Sequence, residues 1–112
     1  MKFKTEMRGD IAIIKISGDL LGGPPTSEVL PAETKKLIEK GIKKVIVDLE
    51  NVKRMNSTGL GVLIRCYTSI KSNDGEFKLV CLNETIRGIL VMTKLESVFD
   101  TYRTLEGAVR NF

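Results

Sequence analysis

The segment KKVIVDLENVKRMNSTGLG, residues 43–61, joins an apolar run to a polar turn with two hydroxyl side chains and two glycines. Its continuous Val-Ile-Val run is typical of a strand that is covered on both faces of a sheet. Either Asn56 or Ser57 would be a good N-cap for a following helix. Gly59 and Gly61 are poor helix formers, each costing about 0.5 to 1 kcal/mol relative to alanine. The segment therefore predicts a central strand, a turn and a helix whose first residues serve something other than helix stability.

Hydrophobic periodicity on both sides of this segment predicts the rest of the chain. Alternation at 2–8 and an apolar run at 11–16, separated by Gly-Asp, are typical of a β-hairpin. The order β-β-α-β-α-β-α-β-α predicts an α/β fold, a mixed sheet with helices packed on it. In chain order we expect strands at 2–8 and 11–16, a helix ending at Gly41, the central strand at 43–49, a helix ending near Ser72, a strand at 76–82, a helix within 83–94 capped by Asn83, a short strand within 97–102 and a last helix capped by Thr104.

The length and composition are those of one globular domain, which we assign to residues 1–112. Hydrophobic residues make up 42% of the chain and charged residues 29%, and no apolar run approaches the roughly 18 residues that a membrane span requires. The N-terminus lacks the apolar region of a secretory signal peptide. We therefore expect a cytoplasmic protein without a membrane span.

The residue types limit the chemistry that the chain can perform. Its net charge of +4 is small and scattered, so we expect no direct binding of nucleic acid. Because the chain has no histidine, it cannot form a Ser-His-Asp triad, a Cys-His pair or a histidine metal site. We interpret Cys66 and Cys81 as reduced core residues, not as a disulfide, a redox pair or a metal site. We expect no catalytic residue, no metal and no cofactor.

The segment SGDLLGGPPT, residues 17–26, is the most loop-like part of the chain. A glycine pair can belong to a phosphate-binding loop, but such a loop needs successive backbone N–H donors, which Pro24 and Pro25 lack. We interpret the segment as a long connection between the hairpin and the first helix. It adjoins the carboxyl end of the predicted sheet, where ligands and partners gather in folds of this class.

Ser57 lies at the start of a helix, and its hydroxyl has two conceivable uses. It could be a nucleophile, but no histidine activates it and no lysine follows at Ser-x-x-Lys spacing. It could instead be phosphorylated, since a phosphate adds about −1.5 to −2 charge that a helix N-terminus tolerates and an apolar or acidic partner surface does not. Gly59 and Gly61 would leave a flat patch for a partner. Leu60 and Val62 would supply its apolar contacts. On this interpretation Gly59→Glu abolishes partner binding and leaves a folded domain.

VIVDLENVKRMNSTGLGVLI, residues 45–64, resembles the signature of STAS domains, specifically that of the bacterial anti-sigma factor antagonists. The resemblance covers nearly the whole chain, since SGDL at 17–20 and the stretch 78–99 are also similar to family segments. It implies a STAS-like mixed sheet and a non-enzymatic regulator. In that family the unmodified antagonist binds an anti-sigma factor that is also a serine kinase, and so frees the sigma factor. The kinase then phosphorylates the first serine of the motif, and a PP2C-type phosphatase removes the phosphate.

The resemblance also implies which residues act. Ser57 takes the place of the phosphorylated serine, with Thr58 as a less favoured acceptor. The sequence departs from the family at Asn56, where an aspartate is usual, and in a longer, more proline-rich connection at 20–31. The alternative is a constitutive STAS scaffold or a transporter-associated module in which Ser57 is only an N-cap. The implied partner-binding residues are Asn56, Ser57, Thr58, Gly59, Leu60 and Gly61, with Asp19 and Leu20 from the preceding connection.

Overall fold

The computed structural model describes residues 1–24 and 26–112, and Pro25 of the predicted connection lies outside them. Strands and helices follow one another in the predicted order, which confirms the α/β fold. The elements are β1 (Lys2–Arg8), β2 (Ile11–Ser17), α1 (Thr26–Glu39), β3 (Lys44–Asn51), α2 (Ser57–Ser72), β4 (Glu76–Val80), α3 (Glu84–Met92), β5 (Asp100–Tyr102) and α4 (Leu105–Arg110).

Within the described residues, five strands form one sheet in the order β1-β2-β3-β4-β5. β1 and β2 pair antiparallel across a turn in which Gly9 has a φ of 63°, a conformation that glycine adopts readily. β2, β3, β4 and β5 run parallel, so their carboxyl ends meet at one edge of the sheet. β3 lies in the middle, and its residues 45–49 are buried, as its apolar run predicts.

Helices cover both faces of the sheet, but unequally. α1, α2 and α3 enclose the larger core, in which Leu63, Leu79 and Ile86 are fully buried. The short α4 covers the other face through a smaller cluster that includes Ile46 and Ala108. None of the helices in the described part of the chain is long and apolar enough to cross a membrane.

β4 ends at Val80, two residues before the end of the predicted strand at 76–82. The reason is Cys81, whose φ of 61° is a left-handed conformation that a regular strand does not contain. Cys66 is buried in the larger core, as predicted, whereas Cys81 is only half-buried, and both thiols are free.

Lys78 is a buried charge on the face of the sheet that α4 covers, with only 5% of its surface exposed. Its ammonium group donates hydrogen bonds to the Asp100 carboxylate and, at 3.3 Å, to the Tyr102 hydroxyl. The same nitrogen lies 4.8 Å from the ring centre of Tyr102 and 4.7 Å from that of Phe112. Although burial opposes the charged form, the hydrogen bonds to Asp100 and Tyr102 raise the pKa of Lys78.

Removing the acidic partner of Lys78 should destabilise the protein more than removing the lysine charge itself. We expect Asp100→Ala to lower the free energy of unfolding by about 2 kcal/mol, because a buried ammonium is left without its carboxylate. Lys78→Met keeps the side-chain volume, and we expect it to change that free energy by less than about 1 kcal/mol. Urea denaturation of the two variants measures both effects, and equal losses would contradict this account of the pair.

Candidate functional site

Two neighbouring loops hold the start of α2 in place at the carboxyl ends of the parallel strands. In the β2–α1 loop, the Leu20 N–H donates to the Arg54 carbonyl at 2.9 Å. In the β4–α3 loop, Nδ2 of Asn83 donates to the Val52 carbonyl, also at 2.9 Å. The segment that leads into α2 is therefore fixed from both sides before any partner binds.

Asn56 is the N-cap of α2. Its Oδ1 accepts a hydrogen bond from the Gly59 N–H at 2.8 Å, and its φ of −107° and ψ of −179° are extended. The sequence left either Asn56 or Ser57 as the cap, and the structure assigns that role to Asn56. Ser57 is the first residue of the helix, and it is exposed. Its hydroxyl is therefore not needed to cap the helix. The scaffold alternative gave Ser57 that capping role, which belongs to Asn56.

The cap bond predicts how substitutions of Asn56 behave. We expect Asn56→Ala to lower the free energy of unfolding by about 1 kcal/mol, because the Gly59 N–H loses its acceptor. Asn56→Asp keeps the acceptor and adds a negative charge at the helix N-terminus, so it should be neutral or stabilising by up to about 1 kcal/mol. Urea denaturation near neutral pH measures both variants. If aspartate destabilised the protein as much as alanine, the side chain would have a different role.

Gly59 makes a close contact inside the protein, which contradicts its predicted role as a flat surface for a partner. A Cβ atom added to Gly59 would lie 1.9 Å from the carbonyl oxygen of Leu20 and 2.7 Å from its carbonyl carbon. The glycine therefore lets the β2–α1 loop cross the first turn of α2. On this geometry we expect Gly59→Glu to destabilise the domain, contrary to the expectation from the sequence.

Gly22 and Gly61 differ in whether the surrounding structure leaves room for a side chain. Gly22 has a φ of 78°, and a Cβ added to it would lie 2.3 Å from Cγ2 of Thr58. Gly22 therefore packs its backbone against the residue that follows Ser57. A Cβ added to Gly61 would meet no atom within 4 Å, so Gly61 faces open space. That Gly61 forms a flat position for a partner stays a prediction.

Leu20, Leu60 and Val62, which the sequence predicted to contact a partner, lie in the core. Leu20 is fully buried, and Leu60 and Val62 are each only 3% exposed. Their side chains contact the protein's own interior, so the prediction that they form the surface of the site is corrected. Of the residues that the family motif implies, Ser57 and Thr58 are exposed, as is the capping Asn56.

Asp19 is half-buried and is paired with Arg54, a residue that the sequence analysis did not single out. Nε of Arg54 donates to Oδ2 of Asp19 at 3.1 Å, and a second nitrogen of the guanidinium donates to the same oxygen. The hydrogen bond from Arg54 lowers the pKa of the Asp19 carboxyl. The pair links the β2–α1 loop to the segment before α2. No local pattern predicts it, because the two residues are 35 positions apart in the chain.

On the α4 side of the sheet, Asp48, Glu50 and Cys81 bring their oxygen and sulfur atoms within 4.8 Å of one another. Oδ1 of Asp48 accepts a hydrogen bond from the Glu50 N–H at 3.0 Å. Burial, followed by the charges of the two carboxylates, raises the pKa of the Cys81 thiol to about 11. The thiol is therefore protonated at neutral pH, and the Asp48 carboxylate has a structural hydrogen-bond role.

Comparison with known proteins places this arrangement in a family. The STAS domain model matches residues 2–108. A Thermotoga maritima protein provisionally named an anti-sigma factor antagonist is 32% identical over 74 residues, which is 66% of each chain. The anti-sigma-B factor antagonist of Staphylococcus aureus is 29% identical over 100 residues, which cover 88% of this chain and 89% of that protein. Both names describe regulators and neither describes an enzyme.

Solved structures agree with the sequence relatives. A crystal structure from Thermotoga maritima, given the same provisional name, superposes with a TM-score of 0.87 at 26% identity and covers 96% of this chain and 92% of that one. The antagonist SpoIIAA in its unphosphorylated form superposes with a TM-score of 0.75 at 20% identity, covering 99% and 100%, and so shares the fold. SpoIIAA has also been solved in its phosphorylated form, with a TM-score of 0.74 at 22% identity, covering 97% of each chain. This chain therefore belongs to the STAS domain family, among relatives named as anti-sigma factor antagonists.

Proposed function

We propose that this protein binds an anti-sigma factor with serine kinase activity while Ser57 is unmodified, and thereby releases a sigma factor. Phosphorylation of Ser57 by that kinase ends the complex, and a PP2C-type phosphatase restores the binding form. The observation that carries the proposal is the position of Ser57: it is exposed at the first residue of α2, and Asn56 supplies the cap. These partners act in the cytoplasm, which is where we place the protein.

Electrostatics favours a switch at this position. A phosphate on Ser57 would lie at the positive end of the α2 dipole, so the free protein would tolerate it. At a buried interface the same phosphate would lose its water and meet groups arranged for a neutral hydroxyl. The family relationship supports this mechanism, since the structural neighbour SpoIIAA is known in both unphosphorylated and phosphorylated forms.

Ser57 is a better acceptor than Thr58. The Cβ and Cγ2 atoms of Thr58 lie 2.6 and 2.3 Å from the position that a Cβ on Gly22 would take, so the β2–α1 loop packs directly against the threonine side chain. A kinase that must reach the hydroxyl would meet this loop at Thr58. We therefore propose Ser57 as the phosphorylated residue.

A pull-down from native cytoplasm tests the proposal, with Ser57→Ala and Ser57→Asp as parallel baits and mass spectrometry to identify the retained proteins. Ser69→Asp is a matched control, because it adds the same charge to an exposed serine near the other end of α2. We expect an ATP-binding serine kinase on the alanine and Ser69→Asp baits and none on Ser57→Asp. The same partners on all three baits would overturn the switch and favour a constitutive STAS scaffold.

A further inference from the structure

Leu21 is a large apolar side chain that the fold leaves in water at the candidate site. It is 43% exposed, although the preceding residue, Leu20, is fully buried. Neither the hydrophobic pattern nor the family motif singled out Leu21. Single exposed leucines are common on protein surfaces, so the significance of Leu21 depends on how its backbone is held and on what lies beside it.

The backbone on the N-terminal side of Leu21 is fixed to the residues that precede Ser57. Leu20 forms an isolated parallel bridge with Met55, and its N–H donates to the Arg54 carbonyl at 2.9 Å. The Leu20 carbonyl accepts a hydrogen bond from the Asn56 N–H at 3.4 Å and lies against Gly59. Leu20 is thereby attached to both sides of the α2 N-cap.

The backbone on the other side of Leu21 is fixed to the residue that follows Ser57. Gly22 packs against Thr58 so closely that an added Cβ would lie 2.3 Å from its Cγ2 atom. Consecutive Cα atoms are about 3.8 Å apart, so Leu21 is one residue from each of these contacts. The protein therefore holds the backbone on both sides of an exposed leucine against the residues that flank Ser57.

We propose that Leu21 is the apolar anchor of the interface with the anti-sigma factor, which presents a small apolar pocket beside the position that receives Ser57. The proposal rests on the function proposed above. A residue whose backbone is already ordered loses less conformational freedom on binding, and this preorganisation leaves more of its contact energy as affinity. Leu21 takes the role that the sequence analysis gave to Leu60 and Val62, which are buried.

The anchor also explains why a phosphate at Ser57 would be so damaging. Burying Leu21 in an apolar pocket removes water from the neighbouring Ser57 hydroxyl. A neutral hydroxyl tolerates this loss, whereas a phosphate or an aspartate would be left poorly hydrated. Without Leu21 in the pocket, a charge at residue 57 should cause a smaller loss of binding affinity, because water can still hydrate the charge.

Calorimetric titration with the purified kinase retained by the Ser57→Ala bait tests the anchor. We expect Leu21→Ser to weaken binding by about tenfold or more, Leu21→Met to bind within about threefold of wild type, and the penalty of Ser57→Asp to be smaller in the Leu21→Ser background. The matched control is Met92→Ser, which removes an apolar side chain that is 84% exposed on α3. Unchanged binding by Leu21→Ser would overturn the anchor and leave the proposed function standing. If the wild-type protein bound no anti-sigma kinase, the proposed function would fail and the anchor with it.

Thiol labelling of Leu21→Cys gives a second readout that does not depend on lost affinity. The native thiols give little background, because Cys66 is buried and the pKa of Cys81 is raised to about 11. We expect saturating kinase to protect Leu21→Cys from a maleimide and to leave Met92→Cys reactive. Equal labelling of Leu21→Cys with and without bound kinase would exclude it from the interface.

Discussion

Gly59→Ala is expected to lower the free energy of unfolding by about 3 kcal/mol, a large effect for the addition of one methyl group. The added carbon would lie 1.9 Å from the Leu20 carbonyl oxygen, which belongs to the backbone and cannot rotate away. To make room, the β2–α1 loop must move, and its bonds to Arg54 and Asn56 must lengthen or break. Helix propensity alone predicts the opposite sign, since alanine is better than glycine by about 0.5 to 1 kcal/mol. The destabilisation by the clash exceeds this gain.

Gly61→Ala is the matched control, two residues further along the same helix. Its added Cβ meets no atom within 4 Å, so only helix propensity changes. We expect this variant to be more stable than wild type by about 0.5 to 1 kcal/mol. Urea denaturation of both variants compares the two glycines directly. Equal stabilities would show that the β2–α1 loop can move aside at little energetic cost and that Gly59 is not required for its packing against α2.

Ser57→Asp is expected to weaken binding to the anti-sigma kinase by about 100-fold and at the same time to leave the free protein intact or slightly stabilised. The carboxylate lies at the first residue of α2, where the helix dipole favours negative charge by about 0.3 to 1 kcal/mol. In the complex the same charge loses water without gaining a partner. One substitution should therefore move stability and affinity in opposite directions.

Ser57→Ala separates the charge of the switch from the contact that the serine makes. Alanine keeps a small neutral surface, and we expect the kinase to bind it within about threefold of wild type, since an isolated neutral hydroxyl contributes little. Calorimetry gives the affinities, and urea denaturation gives the stabilities of the same samples. If alanine were as damaging as aspartate, lost contact rather than added charge would explain the effect.

Local patterns in the sequence determined the elements and most of their ends. The alternation at 2–8, the apolar run at 45–49 and the helical spacing after Ser57 each depend on residues that are close in the chain. The N-caps predicted at Asn83 and Thr104 are present, and each side chain accepts a bond from the N–H three residues on. Ser57 at the start of α2 was also predictable, because a strand, a turn and a helix start occur there in sequence.

Only the tertiary structure decided what the individual residues of the site do. Gly59 is required by Leu20, a residue 39 positions earlier in the sequence, and its partner is a backbone carbonyl that no side-chain pattern reveals. Whether a leucine is buried or exposed in an irregular loop depends on how that loop crosses α2, so Leu20, which was expected to meet a partner, is buried, and Leu21, for which no role was expected, is exposed. Leu60, which the sequence analysis gave to a partner, lies on the face of α2 that packs in the core. The sequence alone therefore determined the sheet, the helices and the position of Ser57, whereas contacts between distant segments decided which residues around Ser57 are buried and which are exposed.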